Sequence, residues 1–344
     1  MKIMEYLKPK YFLSNYEDVP VIDVRSPKEF EKGHIPGAKN IPLFTDEERE
    51  RIGTIYKQQG RTQAIEQGLI YVGPRMKTFT ENGRILAKEN QLKVYCWRGG
   101  MRSEKMAWLF ELIGIQCYVL KGGYKAYRNR LLKDFKKDYP LIVLQGATGS
   151  GKTSILEKMY EMGEQVINLE ELANHRGSAF GHIGMDHQPS SQQFQNNTYA
   201  HFMHLDKKRR IWVEGESLSI GKVYLPETLW EKMNQSPVIQ IILSQNIRIQ
   251  RLVNEYGQFD KEKLIEATQK IIRKFGGDKA KRVIQSLEAN DLKTAAGMLL
   301  DYYDKSYKYS QEKYKSLQPY KVECNSGDPD KNIPLIIKKA DKII

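Results

Sequence analysis

"LIVLQGATGSGKTSILEKMYEMG", residues 141–163, joins three kinds of sequence in a fixed order. Residues 141–145 are a short apolar run of the kind that makes a buried strand, and residues 154–162 space their apolar side chains as a helix does. Between them, Gly146 to Thr153 matches G-x-x-x-x-G-K-[ST] at every fixed position. Composition alone produces that match in about one chain of this length in a hundred. The glycines let backbone N–H groups around Gly146, Thr148, Gly149, Ser150 and Gly151 converge on a diphosphate, and the helix start adds the positive end of its dipole. Lys152 reaches the outer phosphate, and the Thr153 hydroxyl is a candidate Mg²⁺ ligand. Strand, phosphate loop and helix together predict an α/β domain that opens near residue 141.

The loop specifies a diphosphate; it does not specify ATP. Nucleotide hydrolysis also needs an acidic residue at the end of a later strand to hold Mg²⁺. "RRIWVEGES", residues 209–217, offers Glu214 and Glu216 where aspartate is usual, which weighs against plain hydrolysis. "NHRGSAFGHIG" (174–184) and "HQPSSQQF" (187–194) read as a mobile lid over the phosphates. His175 and Arg176 in it are candidates to contact an anion or RNA, with an ordinary loop hydrogen bond as the alternative for each. "EQVINLE" and "PVIQIILS" add strands, the chain turns helical and charged from about Ile247, and "YKVECN" (320–325) reads as a last strand able to rejoin the sheet.

Upstream, short apolar runs alternate with helical patterns: "VPVIDVRS", "AKNIPL", "LKVYCW" and "IQCYVLKGG" as strands, "PKEFEKG" and "SEKMAWLFELIG" as helices. Such alternation predicts a parallel sheet with helices on its faces. The stretch from Thr45 to Gly83 is long and polar and reads as an insert, of a size often functional in loops. In "VYCWRGGMRS" (94–103), Cys96 ends a strand and a helix starts after Ser103. A thiolate is the nucleophilic form of cysteine, so its neighbours must favour an anion. The loop of Trp97, Arg98, Gly99, Gly100, Met101 and Arg102 can curl its N–H groups toward the sulfur, and Arg98 and Arg102 add positive charge. An inert core cysteine is the alternative, and it leaves "RGGMRS" unexplained. Cys117 and Cys324 read as buried and inert.

The 344 residues are enough for two domains. Three cysteines, none in a CxxC pair, exclude a disulfide framework and a zinc site and fit a reducing, cytoplasmic setting. No apolar run is long enough to span a membrane, and "MKIMEYLKPKYFLSNYEDVP" lacks the apolar core of a signal peptide. With 55 Lys+Arg against 42 Asp+Glu the net charge is +13, which favours a polyanionic partner. The basic residues cluster with aromatic ones in "KGGYKAYRNRLLKDFKKDY" (121–139). This reads as a basic helix carrying rings for base stacking, with Lys121, Lys125, Arg128 and Arg130 as candidate RNA contacts.

"DVRSPKEFEKGHIPGAKNIPL", "YCWRGGMRS" and "VLKGGYKAY" resemble, in order, the three hallmark segments of rhodanese domains, which carry sulfur as a persulfide on such a cysteine. Five residues separate Cys96 from Arg102, where the usual rhodanese loop has four; the longer loop also occurs in rhodanese-fold phosphatases and has room for a phosphoryl group. Joined to a P-loop unit with "HRGSAFG" and "WVEGES", the chain resembles the tRNA 2-selenouridine synthase family over nearly its whole length, less so beyond about Ile247. The resemblance implies a rhodanese-like parallel-sheet domain (residues 1–128), a basic helical linker (129–140) and a P-loop NTPase-like α/β domain with a helical C-terminal part (141–344). It implies conversion of wobble 2-thiouridine to 2-selenouridine, with geranyl diphosphate and selenophosphate as co-substrates and Cys96 as the catalytic selenium carrier. The implied partners are tRNA, bound at its anticodon region, and a selenophosphate-supplying enzyme. An ATP-dependent tRNA sulfurtransferase with persulfide on Cys96 is the alternative.

Overall fold

Short apolar runs bounded by proline and glycine become parallel strands here, each followed by a helix that covers the sheet. In the computed structural model, which describes residues 4–14, 18–313 and 318–343, the chain divides into two units, Met1–Asp134 and Phe135–Ile344.

The first unit runs β1 (Glu5–Leu7), α1 (Pro9–Ser14), β2 (Val21–Asp23), α2 (Pro27–Lys32), β3 (Lys39–Asn40), α3 (Asp46–Gln58), α4 (Arg61–Val72), α5 (Met76–Leu86), β4 (Gln91–Tyr95), α6 (Met101–Leu112), β5 (Gln116–Leu120) and α7 (Gly123–Phe135). Its sheet has the order β1-β5-β4-β2-β3, and every pairing is parallel. Ile22, Leu92, Val94, Cys117 and Val119 are fully buried with Phe110 of α6, as strands covered on both faces require. Under the sheet's end, Arg25 makes a buried ion pair with Asp23, donates to the Gly33 carbonyl at 2.7 Å and lies 4.0 Å from the centre of the Tyr124 ring.

Two expectations change in this unit. The stretch Thr45–Gly83 is no loop: it is α3, α4 and most of α5, started by a capping box in which the Thr45 amide donates to Glu48 at 2.9 Å. Its helices bury Ala64, Gly68, Phe79 and Gly83 and pack Ile52, Tyr71, Val72, Met76 and Leu86 against the core, while Leu69, Ile70 and Ile85 stay exposed and blur the apolar stripe in the sequence. The basic helix α7 is also read differently. Tyr124, Tyr127, Leu131 and Phe135 form one fully buried stripe at helical spacing, so the rings of Tyr124 and Tyr127 are core and not stacking platforms.

The second unit continues with β6 (Leu141–Gly146), α8 (Lys152–Glu161), β7 (Gln165–Ile167), α9 (Leu169–Ala173), α10 (Ser191–Met203), β8 (Ile211–Glu214) and a small hairpin of β9 (Ser219–Ile220) and β10 (Val223–Tyr224). There follow α11 (Glu227–Asn234), β11 (Val238–Leu243), α12 (Gln245–Tyr256), α13 (Lys261–Lys270), α14 (Ile272–Phe275), α15 (Gly277–Glu288), α16 (Leu292–Lys313), β12 (Tyr320–Cys324) and α17 (Pro329–Ala340). The order β12-β11-β6-β8-β7, all parallel, brings the late strand β12 back to the sheet edge beside β11. Helices α13 to α16 build a separate apolar core around Leu264, Ala280, Val283 and Ala295.

Beside β7 and β8, Glu164 accepts from Arg210 at 2.7 and 2.9 Å and from the Trp212 indole N–H at 3.0 Å. Hydrogen bonding to Arg210 holds its carboxyl below the ordinary value, against the opposing effect of burial. A depressed folded-state pKa contributes stability above the unfolded value of about 4.3 that is lost as pH falls through the folded value. Glu164→Gln should therefore be less stable than the parent at pH 7, with the gap closing below about pH 4 in urea titrations. A gap independent of pH would contradict this.

Candidate functional site

Each unit ends its central strand in a glycine loop. In the first, β4 delivers Cys96, and the chain turns through Trp97–Gly100 into α6. Gly99 (φ +64) and Gly123 (φ +59) take left-handed conformations at a point where two backbones touch. A Cβ on Gly123 would lie 2.3 Å from the Cys96 carbonyl oxygen, and one on Gly99 2.3 Å from that of Leu120. The amides of Tyr124 and Lys125 donate to the carbonyls of Cys96 and Trp97 at 2.9 and 3.0 Å. The start of α7 thereby ties down the loop from behind. Ser103, in the first turn of α6, donates its hydroxyl toward the Cys96 sulfur at 3.2 Å. The sulfur thus sits at a helix N-terminus, where free N–H groups and the dipole attract an anion.

The two arginines part company. Arg102 turns to Glu29 of α2 at 2.7 Å, and this contact holds the Glu29 carboxyl below its ordinary value although burial pushes it up. Arg98 is exposed and makes no ion pair among the described residues. The loop's spare cation is therefore Arg98, while Arg102 braces α6 against α2. Cys117 and Cys324 are buried, and burial raises both thiol pKa values.

In the second unit, β6 ends at Gly146, and Gly149 (φ +76) and Gly151 (φ +82) carry the turn into α8. The Lys152 ammonium reaches back across the loop to within 3.5 Å of the Gly146 carbonyl. The Thr153 hydroxyl lies 2.9 Å from Glu170 and 3.1 Å from Glu214. Glu214, the last residue of β8, is fully buried, and its Oε2 has no partner among the described residues. Carboxylate oxygens of Glu170, Glu214 and Glu216 fall within 4.8 Å of one another. Burial first, then the charges of Glu170 and Glu216, raises Glu214 well above the carboxylate range. Burial pushes Glu216 up to about 7, with Lys152 opposing and Glu170 adding. A hydroxyl between carboxylates, plus one buried oxygen without a donor, is a donor set that fits a hard divalent cation.

Glu170 was missed in the sequence; its signal is the acidic first turn of α9, three residues past the end of β7, in "INLEE". Two arginines of α12 were also missed. Arg248 donates to the Thr148 carbonyl at 3.1 Å and pairs with Asp304 at 2.7 Å. Arg251 packs its guanidinium over Gly151 and donates to the Ser154 hydroxyl at 3.2 Å. Their signal is a pair of cations at i and i+3 in the helix that follows β11, which lies next to the phosphate-loop strand.

Arg176 lines the same cleft, about 1470 Å³ in volume, together with Lys152, Thr153, Glu170, Glu216 and Arg251. His175 does not line it: the ring is buried against Gly181 and Gly221, and burial lowers its pKa. The segment read as a mobile lid is fastened by hydrogen bonds. Gln188 donates to the Ala173 and Ile220 carbonyls at 2.9 and 3.0 Å, and the Arg176 amide donates to Gly181 at 3.0 Å. Of the candidate RNA contacts, Lys121 and Lys125 are exposed, while Arg128 and Arg130 are half-buried and Arg130 pairs with Asp134 at 3.1 Å.

Comparison with known proteins places these loops in two families. A model described as the tRNA 2-selenouridine synthase AAA domain matches residues 139–326, and a rhodanese-like domain model matches residues 8–130. The tRNA 2-selenouridine synthase of Sulfurovum sp. (strain NBC37-1) is 34% identical over 339 residues, covering 87% of this chain and 90% of that protein. That of Psychromonas ingrahamii is 32% identical over 327 residues, covering 86% and 88%. A rhodanese-like domain protein of Staphylococcus aureus, solved by crystallography, is 24% identical and covers 36% of this chain and 91% of that one, with a TM-score of 0.24.

The interlocked backbones give a sharp test. Gly123→Ala should cost about 1–3 kcal/mol, because it adds left-handed strain to the contact with Cys96. Gly100→Ala, at φ −116 with nothing within 4 Å of the new Cβ, should cost under about 0.5 kcal/mol. Equal losses in urea denaturation would show that the glycine contact does not set the loop.

Proposed function

Because the chain belongs to the tRNA 2-selenouridine synthase family, whose members are tRNA-modifying selenium enzymes, we propose that it works through two activities, one on each loop. The observation that carries the division is the pairing of a thiol at a helix N-terminus in one unit with a diphosphate cradle facing buried carboxylates in the other.

The phosphate loop prepares the base. It binds geranyl diphosphate by its diphosphate, with Lys152 and the loop amides holding the charge that grows as the leaving group departs. The thiocarbonyl sulfur of 2-thiouridine attacks C1 of the geranyl chain. The C1–O bond breaks with its electron pair going to the diphosphate, and the base loses its N3 proton. Thr153, Glu214 and Glu170 are the residues that would hold Mg²⁺, whose chemistry there is neutralisation of diphosphate charge. Alkylation converts a poor leaving group into a good one.

The cysteine loop supplies the replacement. Selenophosphate enters with its phosphoryl group against the α6 N-terminus and Arg98. The Cys96 thiolate attacks phosphorus, the P–Se bond breaks with its electron pair on selenium, and the selenide so released adds to C2 of the S-geranylated base; the C2–S bond breaks and geranylthiol leaves. Water hydrolyses the phosphorylated Cys96 to phosphate and the free thiol, so no step changes an oxidation state and Cys96 hands selenium on without forming a selenosulfide. The tRNA is held through its anticodon region, with Lys121 and Lys125 as phosphate contacts. A cytoplasmic setting and a selenophosphate-supplying partner belong to this reading; among the described residues no helix is long and apolar enough to cross a membrane.

Mass spectrometry of tRNA nucleosides separates the two activities. Cys96→Ala should abolish 2-selenouridine while S-geranyl-2-thiouridine accumulates. Lys152→Ala should slow geranylation by about 10²-fold or more. Loss of geranylation in a folded Cys96→Ala protein, or an unimpaired Lys152→Ala, would overturn the assignment.

A further inference from the structure

The two faces of the second sheet differ in kind. On one, Ile142 and Leu144 of β6 and Ile239 and Ile241 of β11 enter the apolar core shared with α8 and α17. The other faces the large cleft, where Val143, Val238 and Ile242 stand around two amides, Gln145 and Gln240. The parallel register sets Gln145 beside Gln240, and Gln240 beside Lys321 of β12, so one polar row crosses three strands. Parallel strands of this kind read as continuous apolar runs, and glutamine at their centre breaks the pattern. Gln240 is only 7% exposed, and neither glutamine amide has a hydrogen-bond partner among the described residues. Gly215 makes room for one of them: a Cβ there would stand 2.4 Å from Cγ of Gln145. Gln145 immediately precedes Gly146, so the row begins where the phosphate loop begins.

We propose that Gln145 and Gln240 are the residues that select the base: they hydrogen-bond the edge of a pyrimidine whose face lies against Trp230 of α11, another lining residue of the cleft. The inference rests on the reading that this unit alkylates a tRNA base, and adds the side chains that choose it. A buried amide without a partner is costly, so the row calls for a ligand that can both donate and accept. A hydrocarbon chain can do neither. A phosphate only accepts and seeks cations, whereas these amides are neutral. A uracil-type ring offers an N–H between two acceptors, and neighbouring strands about 4.8 Å apart let two amides address one such edge. Unstacked RNA bases are read in this way, by an edge on polar groups and a face on an aromatic ring. Lys321, exposed at the end of the row, is placed for a backbone phosphate.

Anticodon stem-loop RNAs carrying 2-thiouridine or an abasic residue at the wobble position test this by equilibrium binding to the full chain. The parent should favour the thiouridine RNA at least about tenfold. Gln240→Leu and Gln145→Leu should each cut that ratio at least about fivefold, and so should Gln240→Glu, which keeps the size but loses the donor. Affinity for the abasic RNA, set by phosphate contacts, and for inorganic pyrophosphate should stay within about twofold. No preference in the parent, or an unchanged ratio in the variants, overturns the proposal. Weaker binding of geranyl diphosphate to Gln240→Leu with the RNA ratio intact also overturns it, and gives the row to the donor's chain. Near-ultraviolet crosslinking of the parent to a stem-loop with 4-thiouridine at the wobble position guards against misfolded variants. Crosslinks within residues 143–145, 230–242 or 318–321 are expected, and crosslinks confined elsewhere contradict the site. If the parent forms no S-geranyl-2-thiouridine while these ratios and crosslinks hold, the alkylation reading falls and the base site stands.

Discussion

Both units obey one constraint: a parallel strand at the centre of a five-stranded sheet must hand the chain to a helix within a few residues. In the first unit the strand is β4 and in the second β6, and each occupies the middle of its sheet order. So abrupt a turn needs glycines with positive φ, and it leaves the first N–H groups of the helix without partners. Those groups attract anions wherever they are not capped. What distinguishes the loops is the side chain delivered at the turn: a thiol from Cys96, an ammonium and a hydroxyl from Lys152 and Thr153.

The second loop carries the larger electrostatic strain. Burial, and then the charge of neighbouring carboxylates, raises the pKa of Glu214 and Glu216 within this cluster of three. A cluster of this kind is costly unless something positive enters it. Lys152 and Arg251 line the cleft at the loop, Arg248 is taken up by Asp304, and the Glu214 Oε2 has no partner among the described residues. In the first unit the balance is reversed: Arg102 is neutralised by Glu29, so the loop offers amide dipoles and Arg98. The two loops thus differ in charge as well as in the side chain each delivers.

Local sequence predicted what local sequence decides. The order of strands and helices, the glycine loops, the return of β12 to the sheet and the burial of Cys117 and Cys324 depend on short apolar runs and turn residues. Features that depend on distant partners were out of reach. Arg248 meets the phosphate loop 100 residues from Thr148, a contact that exists only because β11 lies beside β6 in the sheet. The orientation of α7 was misread because Tyr124 and Tyr127 look like stacking rings until the buried stripe they share with Leu131 is seen. The helices of residues 46–86 were hidden because exposed Leu69, Ile70 and Ile85 blur the apolar face that Phe79 and its neighbours bury beside Ala64, Gly68 and Gly83. His175, a candidate for an anion, RNA or ordinary loop contact, lies behind the cleft because Gly181 and Gly221 close over its ring.

The central claim is that the phosphate loop and the cysteine loop perform separable steps on the same base. Supplying the product of the first step tests it most directly. Lys152→Ala protein, given tRNA already carrying S-geranyl-2-thiouridine together with selenophosphate, should form 2-selenouridine at close to the parent rate when nucleosides are quantified by mass spectrometry. Failure of a folded Lys152→Ala protein to do so, while the parent succeeds on the same substrate, would contradict the division of labour.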